Sequence, residues 1–333
     1  MKYQNIMKNN KVQCKICPRN CILANGQKGY CYVRENINNT ITLTSYGYNT
    51  GLAVDPVEKK PLYHFYPGTA VLSFGTLGCN MGCKFCQNWH ITKVKTDIHS
   101  LNKTSPEELV KIAKHYDCKS IAFTYNDPVI FFEYAIDTAK LCQANGIKTI
   151  AVTSGYINPE PAAEFFKYMD AANIDLKSFS EEFYKKNCSA HIQPVLDTIK
   201  YVKKETKCWL ELTTLLIPDE NDSNEEIKSA CEWILNNLGE DTPLHFSAFF
   251  PKYKFSGRKH TDFSVLLKAY KTASDTGLKY VYTGNLTTKE TSSTYCKNCG
   301  GTLIARNGYK ISEYNIKEGK CIFCGCQCDG KFE

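Results

Sequence analysis

The chain has 333 residues, 43% of them hydrophobic, which allows one large domain with small attachments, or two ordinary domains, and excludes a disordered protein. Its net charge of +7 counts all 18 cysteines as neutral. Metal-bound thiolates would bring that figure to about +2, so the charge does not argue for a nucleic-acid partner. The basic opening MKYQNIMKNN is followed by no apolar stretch, and no run is long enough to span a bilayer. A secretory leader and a membrane span are therefore not expected. The expected location is the cytoplasm, where clustered cysteines more often bind metal than form disulfides.

Residues 1–68 read as an N-terminal unit. It carries Cys14-x-x-Cys17-x-x-x-Cys21 and Cys31, then ITLTSYGYN, whose alternation predicts a strand. DPVEKKPLYHFYPG (55–68) reads as a connecting segment. From 69 to 289 short apolar runs alternate with helical patterns. The runs are AVLSFG (70–75), SIAFTY (120–125), GIKTIAVT (146–153), AANIDLK (171–177), CWLELTTLLI (208–217), PLHFSAFF (243–250) and LKYVYT (278–283). Ser105 and Ser223, each with Glu three residues on, predict capping boxes, and Gly146 and Gly239 predict helix ends. Alternation of this kind predicts an α/β fold, a partial TIM-type (β/α)6 barrel whose chemistry lies at the C-terminal ends of the strands. Residues 290–333 carry two Cys-x-x-Cys-Gly knuckles and read as a C-terminal module.

Directly after the first barrel run stands GCNMGCKFC (78–86), which contains Cys79-x-x-x-Cys83-x-x-Cys86. A [4Fe-4S] cube takes four cysteine ligands. This loop supplies three, which leaves one iron open to a small molecule. Half of a zinc site, or a plain electron-transfer cluster, are the competing readings of the spacing.

Longer segments carry a resemblance: CPRNC (17–21), DPVEKKPLYHFYPG, GTLGCNMGCKFCQNW (75–89), TYNDP (124–128), AANIDLKSF (171–179), PVLDTI (194–199), TTLLIPDENDS (213–223), YCKNCGG and CIFCG. With these the chain resembles radical S-adenosylmethionine (SAM) enzymes of the pyruvate formate-lyase activating-enzyme type, and within them those of the AmmeMemoRadiSam system. The resemblance implies a [4Fe-4S] cluster on Cys79, Cys83 and Cys86, with SAM on the open iron. It also implies cofactor contacts from Phe85, Asn126, Asp127, Ser154, Asp175 and Lys177. Asp127 stands where relatives usually carry Glu, Ser154 where Asn is commoner, and Asp219 where Gly is usual. Implied partners are a one-electron donor (flavodoxin or ferredoxin) and Memo- and Amme-family proteins, with a protein, RNA or small-molecule substrate.

Cys296, Cys299, Cys321 and Cys324 have zinc-ribbon spacing and are expected to hold zinc, with an auxiliary iron–sulfur site as the alternative; Cys326 and Cys328 are competing thiols. Cys14, Cys17, Cys21 and Cys31 suit zinc or an iron–sulfur cluster, zinc being favoured. Cys118, Cys142, Cys188, Cys208 and Cys231 read as small core residues, and His64 and His245 as structural. The expected function is radical initiation on an unidentified substrate. The alternatives are a glycyl-radical enzyme activase and a non-catalytic zinc-ribbon scaffold.

Overall fold

The computed structural model describes residues 2–93 and 97–332; Met1 and Glu333, the outer limits of the two terminal units, lie outside them. Its centre is one eight-stranded sheet. The strands are β1 Leu52–Pro56, β2 Ala70–Phe74, β3 Ser120–Phe123, β4 Lys148–Thr153, β5 Ala171–Asp175, β6 Trp209–Leu216, β7 Leu244–Ala248 and β8 Val281–Gly284. β2 to β8 run parallel in chain order, and β1 joins antiparallel beside β2. β1 and β8 are not paired with each other among the described residues, so the barrel is partial. All seven apolar runs became parallel strands because they are covered on both faces, and such strands need side chains that tolerate burial throughout. β3 is buried at every position.

Six helices make the crossovers: α1 Pro106–His115, α2 Phe132–Ala144, α3 Pro159–Lys167, α4 Gln193–Glu205, α5 Asn224–Leu238 and α6 Phe263–Thr276. The Ser105–Glu108 capping box forms in both directions. At α5 the Ser223 hydroxyl accepts from Glu226 N. Glu226 does not return the bond. Its carboxylate accepts from the Ser178 hydroxyl at 2.5 Å and from Phe179 N at 2.8 Å, tying α5 to the β5 loop. A tertiary partner replaced the local one.

The segment 55–68 is not a surface connection. Val57, Leu62 and Phe65 are fully buried against Val71, Ala122, Ile150 and Ala171, and they close the floor of the barrel. Its charges made it look exposed, but they are paired inside: Lys60 with Asp55 at 2.9 Å and Glu58 with Arg306 at 3.6 Å. ITLTSYGYN forms two short strands, Thr40–Leu43 and Tyr48–Asn49, separated by a turn.

The C-terminal module, built on strands Thr294–Tyr295, Thr302–Asn307 and Lys310–Tyr314, docks under this floor. Arg306 Nη2 donates to Tyr63 O, and His64 lies between Asp329 O and the Tyr282 hydroxyl. The N-terminal module docks at the opposite end. Asn158 holds the backbone of Lys15 and Cys17, and Arg34 makes a two-point pair with Glu133 of α2 at 3.1 and 2.7 Å.

Candidate active site

The loop after β2 carries Cys79, Cys83 and Cys86 to the C-terminal ends of the strands, the catalytic side of such barrels. Other strand ends hold it in place. Asn126 Nδ2 donates to Thr76 Oγ1, Leu77 O and Gly78 O, and Asn126 Oδ1 accepts from Thr76 N. Gly82 N donates to Cys188 O at 2.7 Å and Lys84 N to Asn187 O at 2.9 Å. Phe85 is buried between Phe183 and Phe255.

The three cysteines line one open cavity of about 1250 Å³, counted as all space free of atoms and including the solvent at its mouth. Phe85, Asn126, Asp127, Ser154, Asp175 and Lys177 line the same cavity. All nine sequence-derived central residues therefore meet at one place. The side chains of Asn126 and Asp127 have different first tasks from the expected ones. Asn126 spends its amide on the cysteine loop. Asp127 accepts from Val129 N at 3.1 Å, Thr153 Oγ1 at 2.9 Å, Ser154 N at 3.0 Å and the Ser154 hydroxyl. It thus ties the ends of β3 and β4 together. Burial raises its carboxyl pKa, against the opposing pull of these bonds. Tyr125, just before them, holds φ +68 at the cavity wall, a strained position of the kind that clusters at functional sites.

Asp175 and Lys177 pair at 2.7 Å and both face the cavity, as their shared strand face allows. Burial alone would lower the Lys177 pKa, but Asp175 and the thiols of Cys83 and Cys188 drive it well upward. Lys177 is thus held as a cation beside the cysteines.

Cys188 is a neighbour of the central thiols that the sequence concealed. A single wide turn, Tyr184–Cys188, brings its thiol against that of Cys83. This contact, with Lys177 and Lys93 nearby, lowers the Cys83 pKa, whereas burial pushes that of Cys79 up to about 12. Only the KKNCS stretch hinted at a polar setting for Cys188.

The donor set fits a cluster. Three thiols share a cavity but do not close on a single ion. Thr213 Oγ1, also on the wall, is buried without a partner among the described residues. A buried hydroxyl in that state favours a bound polar group.

The C-terminal thiols behave differently. Cys296, Cys299, Cys321 and Cys324 lie with all sulfurs within 4.8 Å of one another. Cys296 and Cys324 are 3.7 Å apart, and Cys299 and Cys321 3.8 Å. Four sulfurs at about 2.3 Å from one zinc ion are about 3.8 Å apart, so this group can hold a single metal ion. Gly300 and Gly325 adopt φ +70 and +73 just past each knuckle. Cys326 and Cys328 stand outside the group. His64 and His245 lie in the barrel floor, hydrogen-bonded and buried, away from the cavity. No helix among the described residues is long and apolar enough to cross a membrane.

Comparisons with known proteins agree with this geometry. The model of the radical SAM superfamily matches residues 74–234. The chain is 42% identical to the Methanocaldococcus jannaschii protein MJ0808, itself described as uncharacterized, over 96% of each chain. It is 32% identical to the 4-hydroxyphenylacetate decarboxylase activating enzyme of Clostridium scatologenes, over 38% of this chain and 41% of that one. It is 24% identical to a pyruvate formate-lyase-activating enzyme of Listeria monocytogenes, over 50% of this chain and 70% of that one. Among solved structures, a radical SAM methyltransferase from Sphaerobacter thermophilus superposes with a TM-score of 0.52 at 13% identity, covering 66% of this chain and 67% of that one. Thiols, cavity, sheet and sequence agree, and the chain belongs to the radical SAM superfamily.

Proposed function

We propose that this protein is a radical initiator that binds SAM against a [4Fe-4S] cluster held by Cys79, Cys83 and Cys86. The observation that carries the reading is the convergence of those thiols with Lys177, Asp175, Ser154 and Thr213 on one cavity at the strand ends. The bound cluster and SAM supply the chemistry: one-electron cleavage of the sulfonium to methionine and a 5′-deoxyadenosyl radical, which takes a hydrogen atom from the substrate. The chain supplies placement. Asn126 fixes the loop, Lys177 presents a cation suited to the SAM carboxylate, Ser154 and Thr213 offer hydroxyls, and the packed floor shuts water out from below.

Sequence resemblance supports Memo- and Amme-family proteins as partners, a flavodoxin or ferredoxin as donor, and the cytoplasm as location. Activation of a glycyl-radical enzyme is the second reading, favoured by the matches to activating enzymes. The terminal modules on either side of residues 69–289 are read as metal-stabilised units.

Anaerobically reconstituted protein, reduced with dithionite and given SAM, should release 5′-deoxyadenosine; an iron-loaded protein that releases none overturns the reading. Lys177→Met should weaken SAM binding roughly 10- to 100-fold, because a charge-assisted hydrogen bond contributes about 1.5–3 kcal/mol. Equilibrium dialysis measures this, with the iron content of the variant expected to match the wild type.

A further inference from the structure

The chain holds three sets of clustered thiols, in two geometries. The C-terminal four close to the spacing of a single tetrahedral ion. The central three share a cavity without closing to that spacing. Cys14, Cys17, Cys21 and Cys31 follow the second pattern. All four line one cavity of about 370 Å³, on the same measure as the central one. Yet among the described residues only the C-terminal set brings its sulfurs within 4.8 Å of one another. Sulfurs at the corners of an iron–sulfur cube stand farther apart than those around one ion, because the metal atoms themselves are separated.

The rest of the wall suits the same occupant. Ile16, Leu23, Val129 and Ile130 make it apolar, and Arg34 is its buried cation. The charge of Arg34 acts on both Cys14 and Cys31. Four thiolates around a [4Fe-4S]2+ core leave a net −2, and a buried anion of that size requires a compensating cation. Glu133 pairs with Arg34 from its other side, so Arg34 offsets the cluster charge only in part.

We infer that Cys14, Cys17, Cys21 and Cys31 hold a second [4Fe-4S] cluster, set directly against the Cys79 loop. The contact is tight. Gly78 has φ +82, and a Cβ there would lie 2.0 Å from Cys31 O. Asn80 lines the N-terminal cavity while Cys79 lines the central one. Arg19 Nε donates to Asn80 O at 2.5 Å. Cys17 and Cys21 are the more exposed of the four. Cys17 and Cys21 would then present the cluster to a reduced donor protein, and the Cys79 loop is the neighbour to which it would pass an electron.

The test is elemental and spectroscopic. It stands whether or not SAM is cleaved, so its failure is separable from failure of the proposed function. The wild type and a Cys79→Ala/Cys83→Ala/Cys86→Ala variant are reconstituted anaerobically and assayed for iron, acid-labile sulfide and zinc. The wild type should carry about eight iron atoms and the variant about four, each with matching sulfide. The reduced variant should give a simple cluster EPR signal, and the reduced wild type one broadened by spin coupling between adjacent clusters. Cys17→Ala/Cys21→Ala, which changes only partly exposed positions, should remove the N-terminal share and leave the central one. A triad variant with no sulfide, or with two zinc ions per chain, overturns the inference, as does an uncoupled spectrum from a wild type that carries about eight iron atoms.

Discussion

Cys83→Ala protein is expected to release no 5′-deoxyadenosine above background, whereas Cys188→Ala protein is expected to keep both its central iron and its SAM cleavage. The two thiols touch, so the pair separates ligand from neighbour. Removing Cys83 leaves the loop two cysteines, too few to hold a cube with a vacant corner. The fold itself should survive. Asn126 grips Thr76 to Gly78, and the backbone bonds of Gly82 and Lys84 to Cys188 and Asn187 use no thiol. Cys188→Ala keeps those bonds and removes only a sulfur. The measurements are iron per chain and 5′-deoxyadenosine by chromatography. If iron is instead lost from Cys188→Ala, Cys188 fills the fourth corner and the vacancy reserved for SAM disappears.

Glu211→Ala is expected to be the most destabilising single change in the barrel. Glu211 is fully buried, and its two oxygens serve four groups. Tyr63 N donates at 3.0 Å, His64 N at 2.8 Å and Trp209 Nε1 at 3.0 Å, and His245 Nε2 lies 2.7 Å away. Breaking a buried pair of this kind costs about 3–5 kcal/mol. The expected result is a clear drop in urea midpoint, with Glu211→Gln less severe because it keeps one acceptor.

The same floor makes the protein acid-sensitive. Burial alone would raise the Glu211 pKa, but His245, His64 and the Tyr63 amide outweigh it and lower it. A depressed carboxylate stabilises above its unfolded pKa, and that stability is lost as pH falls through the folded value. His64, neutral between Asp329 O and the Tyr282 hydroxyl, has its pKa lowered by burial. The unfolded chain therefore takes up a proton below about pH 6.5 that the folded chain refuses. Both contributions act in one direction. The wild-type melting temperature should fall from neutral pH toward about pH 5 through His64, and fall again below about pH 4.5 through Glu211, a second fall that Glu211→Ala should lack.

Much of this was legible in the sequence because it is local. Seven apolar runs announced seven parallel strands, Ser105 announced its helix, and the Cys79, Cys83 and Cys86 spacing singled out the loop that lines the central cavity. What stayed hidden depends on partners far along the chain. Cys188 lies 105 positions after Cys83 and reaches it through one wide turn. Residues 57–66 looked exposed because Glu58 and Lys60 are charged, and only Arg306 and Asp55 account for their burial. Asn126 and Asp127 are on the cavity wall as expected, but their side chains brace loops, which no spacing rule reveals. At Asp219 the structure does require the conformation glycine favours, with φ +63, and Asp adopts it while its amide donates to Asp222.

The sealed base of the barrel dictates traffic. With Leu62 and Phe65 packed across the lower end, no route to the thiols runs through the barrel floor among the described residues. On the proposed reading, a small molecule seated against the thiols would lie deepest and would have to arrive before a bulkier guest covers the entrance.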